Sequence, residues 1–542
     1  ALNSATADNN CAVGYKAMAG NTTGTRNTAV GQFTLDATNT AHDNVAVGYN
    51  ALTNNTSGAS NTAVGKAALT SNTTASNNTA FGYNALSSNT TGTVNVAVGV
   101  EALANNTTAS NNTAVGYNAL NDTTTGQDNV AVGANALDEN TTGIRNVAIG
   151  RHALGAQVSG NENVAIGFYA LQANQTGGQR NTAVGNEALA SNTTADHNTA
   201  VGHACLDANT TGYHNTAVGS SAMSAATTAH SSVVIGKEAG AAITTGSNNT
   251  IIGRNAADSL TTGGQNTILG PLSGAALTTH NYNTLIGYEA GANSTASNNT
   301  AVGGNALQDS TTGTANIAVG YNAGANVTTA VNCCFLGMNA GVSVTTGNAN
   351  TLIGRDAGDV ITTGGTNVCI GNNVNPNSAT GINQIVIGHD MGGIGNNYFT
   401  FGKQSNKVYN LFTSNASWTR SSDVRLKKNI QTNTDLGLDF INDLRTVTYK
   451  WKAPSELDSS LPGYDASKTE ADHTSKMYGF IAQEVKQALD DHNVTDFAGW
   501  TEDNEGIQGI SYEMFVMPLV KAVQELSAEN TALKARLDAA GI

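Results

Sequence analysis

The sequence predicts a mainly β protein in which a long β-solenoid, or β-roll, precedes a small α+β domain. Two observations indicate this fold class. Twenty-three glycines recur almost every 17 residues from Gly14 to Gly388, each within a version of N-T-A-V-G-x-N-A-L-x-x-N-T-T-G. Beyond Gly388 the repeat is lost, and all three tryptophans of the chain lie there. A fixed short period is typical of proteins whose repeats stack on one another.

Each repeat in residues 1–388 has the composition of one solenoid coil. T-A-V before the glycine and A-L after it predict two short extended stretches. The Asn, Thr and Gly residues between them predict tight corners, because Asn and Gly tolerate left-handed backbone. At a strand spacing of about 4.8 Å, such a stack predicts a shaft of roughly 110 Å.

Two columns of the repeat change size together. The residue two before the glycine is mostly Ala in the first thirteen repeats, and the residue four after it is mostly Leu or Met. Later, Val234 is combined with Gly240, as expected if both columns share one packed interior. Ala318 combined with Gly324 breaks this rule, and the sequence offers no reason.

The residue directly before the glycine predicts a second apolar surface. It is Val, Ile, Leu or Phe in every repeat, as at Val30 and Phe81. A continuous apolar run indicates a strand that is covered on both faces. No amphipathic helix lies between the repeats to cover it, so we expect self-association around a common axis, as a homotrimer.

The Asn and Thr columns admit other interpretations. N-T-T contains the N-x-T acceptor of N-glycosylation, whereas corner geometry and ladders of stacked asparagines explain the same letters. We expect the ladders. Threonine arrays also occur on ice-binding faces, but the two neighbours in T-T either point to opposite sides of a strand or lie in a turn.

Composition and charge argue against several classes of function. The formal charge is −15 and no basic stripe is present, so nucleic acid is not an expected partner. No apolar run reaches transmembrane length, so we expect no membrane insertion. The five cysteines substitute at hydrophobic or small positions, without zinc or disulfide spacing. We therefore expect no metal and no cofactor.

Residues 389–421 predict a β connector with strands at about 398–401 and 408–412. Exposed aromatic side chains at a fibre end suit recognition of a sugar or a protein. The alternative is that they cap the open end of the roll, where an unpaired strand edge invites aggregation. The six candidates are Tyr398, Phe399, Phe401, Tyr409, Phe412 and Trp418.

The remaining chain, 422–542, predicts a separate small domain. A helix-like segment at 436–444 precedes a strand at 447–452, a polar insertion at about 453–475 and a long helix at about 512–540. An apolar seam with 4-3 spacing and one asparagine predicts a parallel trimeric coiled coil rather than a helix packed on its own domain. The seam residues are Leu519, Val523, Leu526, Asn530, Leu533, Leu537 and Ala540.

Three blocks in this domain carry a resemblance to a known family. S-S-D-V-R-L-K-K-N-I, Y-G-F-I-A-Q-E-V and a terminal V-K-A-V-Q-E-L occur in this order. Together they resemble the C-terminal intramolecular chaperone of phage tailspikes and tail fibres, a family that includes the endosialidase-type self-cleaving chaperones. The resemblance implies a domain that trimerises, templates folding of the fibre and then cuts itself off. The repeats more loosely resemble the head β-rolls of trimeric autotransporter adhesins, although 17 residues per coil is not their usual length.

The resemblance also implies the site of cleavage. Ser422 and Lys427 correspond to the catalytic dyad, and the bond between Ser421 and Ser422 is the one that is cut. A serine hydroxyl needs a base, and lysine acts as a base only when its pKa is lowered by burial or by a neighbouring cation. Arg425 is such a cation, unless it pairs with Asp423.

These features predict a phage tail fibre or tailspike shaft, located on the virion tail, that binds a host-surface glycan or protein receptor. The alternative is a secreted or cell-surface adhesive filament that uses the same chaperone. A virion-attachment segment upstream of Ala1 would favour the first, and a secretion signal there the second. A glycan-cleaving enzyme is a third class, but the repeats lack a clustered carboxylate pair.

Overall fold

The computed structural model describes residues 7–37, 40–174, 177–412, 419–420, 422–461, 464–471, 475–503 and 506–542, and only the backbone of 419–420. The chain divides into two compact units, Ala1–Ser421 and Ser422–Ile542. In the part that is described, the first unit consists of strands and turns, and the second combines short strands with α-helices.

The first unit is built from three-residue strands that recur once in each repeat. In chain order its strands are β1 (Cys11–Val13), β2 (Thr28–Val30), β3 (Val45–Val47), β4 (Thr62–Val64), β5 (Thr79–Phe81), β6 (Val96–Val98), β7 (Thr113–Val115), β8 (Val130–Val132), β9 (Val147–Ile149), β10 (Val164–Ile166), β11 (Thr182–Val184), β12 (Thr199–Val201), β13 (Thr216–Val218), β14 (Val233–Ile235), β15 (Thr250–Ile252), β16 (Thr267–Leu269), β17 (Thr284–Ile286), β18 (Thr300–Val302), β19 (Ile317–Val319), β20 (Cys334–Leu336), β21 (Thr351–Ile353), β22 (Val368–Ile370), β23 (Val374–Asn375), β24 (Ile385–His389), β25 (Met391–Gly392), β26 (Tyr398–Lys403), β27 (Asn406–Leu411) and β28 (Thr419–Arg420).

Strands β1 to β22 and β24 form one parallel ladder, with a single strand from each coil. The pairing is in register, so that Ala29 opposes Ala46 in the next coil. It stays in register across the extra residue between β10 and β11, because the insertion lies outside both strands. The mainly β fold and the long solenoid of 17-residue coils are thereby confirmed.

Close contact between coils explains the recurring glycine. The glycines of this column have φ between +127° and +158°. A Cβ atom at Gly116 would lie 2.4 Å from the carbonyl oxygen of Gly133, its counterpart in the next coil. Any side chain here would collide with backbone, so the position requires glycine both for its φ and for the space.

The corners of the coil differ from the sequence prediction. The A-L stretch after the glycine was expected to be extended, but it lies in turns, and Leu120 has a φ of 53°. Asn118 and Asn111 also adopt left-handed backbone, with φ of 55° and 63°. Leucine is disfavoured there, and its fully buried side chain compensates.

The core of the solenoid contains the two columns that change size together. Ala114, two before its glycine, and Leu120, four after it, are both fully buried in one continuous cluster. A Cβ atom at Gly274 would lie 3.0 Å from Leu285 and 3.3 Å from Ile268. Leu285 belongs to the next coil, so each residue of the second column packs against two residues of the first.

This packing across coils accounts for the exception at Gly324. A Cβ atom there would lie 2.6 Å from the ring of Phe335, which comes from the next coil and is fully buried. The space that a leucine fills elsewhere is therefore occupied by the neighbouring phenylalanine. At Gly324 the size rule is therefore met when the next coil is counted as well.

A third buried column, seven residues after the glycine, was not anticipated. In most early coils it is a polar residue such as Asn72, but beside later glycines it is apolar, as at Ile243 next to Gly240. The Cδ1 atom of Ile243 would lie 2.7 Å from a Cβ atom at Gly240. The side chain of Ile243 thus fills the volume that a leucine at position 240 would have occupied.

Two ladders of buried asparagines connect the coils, and the second is confined to the earlier coils. In the first, Oδ1 of Asn112 accepts the backbone N–H of Asn129 at 3.0 Å, and its Nδ2 donates to the carbonyl of Gly126 at 2.9 Å. In the second, Nδ2 of Asn89 donates to Oδ1 of Asn72 at 3.1 Å. The asparagines of N-T-T lie in this second ladder, as expected, and their buried amides are not offered to a glycosylating enzyme in the folded coil.

The apolar residue before the glycine points outward in the single chain. The side chain of Val30 is 37% exposed and that of Phe81 is 55% exposed, whereas the alanine between each of them and its Thr neighbour is fully buried. The strand therefore has one face in the core and one apolar face at the surface.

The sheet continues past Gly388 before it ends. Strand β26 pairs in parallel with β24, which places Gly402 beside Gly388 and Phe401 beside Ile387. Strands β27 and β28 then add antiparallel pairings, and β28 ends at Arg420. The predicted β connector thus includes one further, shorter coil and a hairpin that covers its edge.

The second unit is a small α+β structure. Its elements are a 3-10 turn (Val424–Leu426), α1 (Leu438–Asp443), β29 (Val447–Tyr449), a 3-10 turn (Pro454–Glu456), β30 (Met477–Gly479), α2 (Ala482–Asp491), β31 (Trp500–Glu502), β32 (Gln508–Ile510), a 3-10 turn (Tyr512–Phe515) and α3 (Val516–Ala539). Strands β29 and β30 pair antiparallel, as do β31 and β32. Its core centres on Phe440, Val485, Leu489 and Phe515.

Helix α3 packs on this unit through a face that is not the predicted seam. Pro518 and Ala522 are buried, and Oε2 of Glu525 accepts the N–H of Leu438 at 2.6 Å, at the start of α1. The seam residues Leu519 and Val523 remain more than half exposed, at 52% and 59%. The apolar seam is therefore not used to cover the helix's own unit.

Candidate active site

The predicted dyad lies on a single short turn at the start of the second unit. The N–H groups of Leu426 and Lys427 donate to the carbonyls of Asp423 and Val424 at 3.0 Å and 3.1 Å. Asp423 precedes the turn with extended backbone, and its Oδ1 accepts the N–H of Arg425 at 2.8 Å. This is the geometry of an N-cap aspartate.

The turn brings Ser422 and Lys427 together. Nζ of Lys427 lies 2.7 Å from Oγ of Ser422, within hydrogen-bond distance. Both residues are exposed in the single chain. The two side chains that the resemblance pairs are therefore in direct contact, within the distance that a nucleophile and its base require.

Arg425 points to Asp423. Its Nε and a terminal guanidinium nitrogen lie 3.0 Å and 2.6 Å from the carboxylate. These hydrogen bonds lower the pKa of Asp423 and raise the pKa of Arg425. Of the two alternatives left open by the sequence, the structure has the ion pair, so the charge of Arg425 is balanced by its own neighbour.

On the acyl side of the predicted scissile bond, the structure describes only some of the residues. Ser421 lies outside the described residues, as does Trp418. Thr419 and Arg420 form β28, whose backbone pairs with Tyr409 and Val408 of β27. The peptide that would be cut therefore follows directly on a paired edge strand.

The aromatic residues of the connector group around the last strands. The rings of Tyr398 and Tyr409 are 5.9 Å apart in an edge-to-face arrangement, and the ring of Phe399 is 5.8 Å from Phe401 and 6.4 Å from Phe412. Phe401 and Phe412 are 40% and 51% exposed. The aromatic rings therefore contact one another, and Phe401 and Phe412 also present apolar surface to solvent.

Three of the five cysteines occupy buried positions, whereas Cys11 is exposed and Cys334 is partly buried. Cys205, Cys333 and Cys369 are buried, and burial raises the pKa of Cys205 and of Cys369 to about 12. Among the described residues, no group of three or more His, Cys, Asp or Glu side chains is arranged to hold a metal ion. The same residues include no helix with the length and hydropathy of a membrane span.

An open groove in the second unit was not anticipated. It has a volume of about 890 Å³ and lies between β29 and β32, with Tyr449, Trp451, Phe480 and Tyr512 among its lining residues. Each of these two strands pairs with only one partner among the described residues. The sequence signal was the density of aromatic residues in 447–451 and 478–480, which alone does not distinguish a core from a groove.

Comparison with known proteins identifies one region. Residues 422–494 match a peptidase family model described as chaperone of endosialidase. No curated protein and no solved structure matches the chain. The match begins at Ser422, the first residue of the second unit. Together with the β-solenoid upstream, it fits a tail fibre that carries a C-terminal chaperone, and it supports a self-cleaving peptidase domain.

Proposed function

We propose that this protein is the homotrimeric shaft of a phage tail fibre or tailspike, which attaches the virion to a host surface. Its C-terminal unit acts as a chaperone that drives trimerisation and folding of the shaft. That unit then removes itself by cleaving the bond between Ser421 and Ser422. The observation that carries the cleavage is the 2.7 Å contact between Nζ of Lys427 and Oγ of Ser422.

The chemistry is an acyl transfer followed by hydrolysis. Oγ of Ser422 attacks the carbonyl carbon of Ser421 and gives its proton to the neutral amine of Lys427. The C–N bond breaks, the proton passes to the leaving amine of Ser422, and an ester joins the two residues. Water then opens the ester, which leaves a carboxylate on Ser421 and the free hydroxyl on Ser422.

Timing follows from the exposure of the dyad. Lys427 is exposed in the single chain. Because burial favours the neutral amine, assembly of three chaperone units around the dyad would switch on the cut. Cleavage would then report completed assembly, and each chain would react once.

Two surfaces support a trimer. The seam of α3 leaves Leu519, Val523 and Leu526 exposed although each is apolar. The solenoid leaves one apolar side chain per coil at its surface, as at Val30 and Phe81. A long apolar face on each copy is the usual sign of an interface, and three copies around one axis cover both surfaces.

Host recognition is assigned to the end of the solenoid. Loss of residues 422–542 leaves 389–421 as the mature tip, and its aromatic group suits a glycan or protein receptor. The hairpin of β26 and β27 covers the edge of the ladder, so capping and recognition are compatible at this end.

Two pairs of neighbouring substitutions test the cleavage. Ser422→Ala and Lys427→Ala are expected to leave the chain at its full mass of 55.1 kDa, because each removes one partner of the dyad. Ser421→Ala and Lys428→Ala are the matched controls and are expected to yield the same two fragments as the wild type. Denaturing gels and intact mass measure the outcome. A Ser422→Ala chain that is still cut between residues 421 and 422 would contradict the assignment.

A further inference from the structure

We propose that Asp423 is a positioning residue for the cleavage, which holds the turn that brings Ser422 and Lys427 into contact. This inference rests on the proposed self-cleavage at Ser422. Asp423 does not touch the reacting atoms. It acts through the backbone of Arg425, whose N–H its carboxylate accepts at 2.8 Å.

The contact between Ser422 and Lys427 requires a bend in the chain. Five residues in extended conformation span about 16–18 Å, so an extended segment would keep the two side chains far apart. The bend consists of one 3-10 turn with two backbone hydrogen bonds, to the carbonyls of Asp423 and Val424. A single turn of this length is not stable by itself in water.

Packing does not hold this turn in the single chain. Every residue from Ser422 to Ile430 is exposed, so no buried side chain anchors the segment. The remaining restraints among the described atoms of the turn are the hydrogen bonds of the Asp423 carboxylate, one to the N–H of Arg425 and two to its guanidinium. In the single chain, the conformation of the dyad therefore depends on this carboxylate.

The carboxylate has two separable roles. It caps the turn through the backbone N–H of Arg425, and it pairs with the guanidinium of the same residue. Asparagine retains a side-chain oxygen and is as good an N-cap as aspartate, whereas alanine is not. An exposed ion pair contributes little to stability. The cap is therefore the role that we assign to the positioning of the dyad.

The rate of cleavage in the full chain, followed by quantitative gel after synthesis, separates the two roles. Asp423→Ala is expected to slow cleavage about fivefold to tenfold, the factor that corresponds to loss of one N-cap. Asp423→Asn and Arg425→Ala are expected to stay within about threefold of the wild type. The pH profile of cleavage is expected to keep its midpoint in all three variants, because the base is still Lys427.

Each outcome has a defined meaning. A wild-type chain that does not cleave would contradict the proposed function, whereas cleavage of Asp423→Ala at the wild-type rate would overturn only the positioning role. If Asp423→Asn is as slow as Asp423→Ala, the charge and not the cap is responsible, and the inference is wrong. Native mass of the same variants in a Ser422→Ala background controls for assembly, since all of them are expected to form the same oligomer.

Discussion

At the scale of single residues, the recurring glycine combines a torsional and a steric requirement. Gly116 has a φ of 140°, and its α-carbon faces the carbonyl of Gly133 in the next coil. The same relation recurs along the ladder, so the column of glycines is a line of close backbone contact between coils. The period of 17 residues is therefore the length of chain that returns to this contact.

Replacing one of these glycines is expected to open the solenoid locally. In Gly116→Ala the added Cβ would lie 2.4 Å from the carbonyl oxygen of Gly133 at a backbone angle that alanine rarely adopts. We expect a loss of about 3 kcal/mol or more in local stability, confined to the adjoining coils because each contacts only its neighbours. Hydrogen exchange of the amides from Gly99 to Gly150 measures it.

Gly304→Ala is the control for this substitution. Its Cβ would meet nothing closer than 3.4 Å, and its backbone is not left-handed. Its exchange pattern is expected to match that of the wild type. Equal protection of the coils around Gly116 in Gly116→Ala and wild type would show that the backbone contact is not required.

At the scale of the coil, size complementarity is shared between neighbouring coils. Phe335 is fully buried, and its ring occupies the space beside Gly324 in the coil before and beside Gly341 in its own coil. This explains why a pairing rule written within single repeats fails at Gly324. The unit of packing is a pair of adjacent coils, because the columns of the core stack along the solenoid.

A double-mutant cycle measures this shared packing. Phe335→Ala is expected to destabilise these coils by about 3–5 kcal/mol, and Gly324→Ala to destabilise them through a contact of 2.6 Å with the ring. In the double variant the clash is absent and the new methyl group fills part of the cavity. We expect a favourable coupling of at least about 1 kcal/mol, measured by denaturant unfolding of the Ser422→Ala chain.

The cycle of Phe335→Ala with Gly240→Ala is the matched control. Several coils separate these two residues, so their effects are expected to add within about 0.5 kcal/mol. Additive effects of the Gly324 pair as well would contradict packing across the coil boundary. The backbone at Gly324 does not by itself forbid a side chain, since Leu120 adopts a similar φ of 53°.

At the scale of the whole molecule, both units expose apolar side chains at their surfaces. The solenoid leaves the residue before each glycine partly or largely exposed, and α3 exposes its seam residues Leu519, Val523 and Leu526. The buried face of α3 carries Pro518 and Ala522, so the helix meets its own unit and still presents a second apolar stripe. These are the surfaces that the proposed trimer would cover.

A charge in the seam is expected to block assembly. Leu526→Asp would place a carboxylate at a core position of the proposed coiled coil, where burial of an unpaired charge is unfavourable. We expect native mass spectrometry to find a trimer for the wild type and a monomer for the variant, with loss of cleavage. Ala528→Asp lies off the seam and is expected to remain trimeric. A trimeric Leu526→Asp chain would contradict the coiled coil.

Much of this architecture was predictable because the sequence repeats its own constraints. The period, the buried pair of columns, the asparagine ladders and the outward column before the glycine all follow from residue types that recur in phase. The left-handed backbone at Leu120 was not predictable, and neither was the burial of Ile243 beside Gly240. Both depend on which neighbour fills the interior, and leucine carries no local signal for a corner.

The sequence by itself determined the class of fold and the length of the coil, since these are properties of local spacing and residue type, whereas the pairing of Ser422 with Lys427 was implied by the resemblance to a known family. Only the tertiary structure decided where each coil ends, that Phe335 fills the space of its neighbour, and that Arg425 binds Asp423. These outcomes depend on contacts between residues far apart in the chain or on the choice between two local partners. Close packing selects one arrangement where sequence spacing permits several.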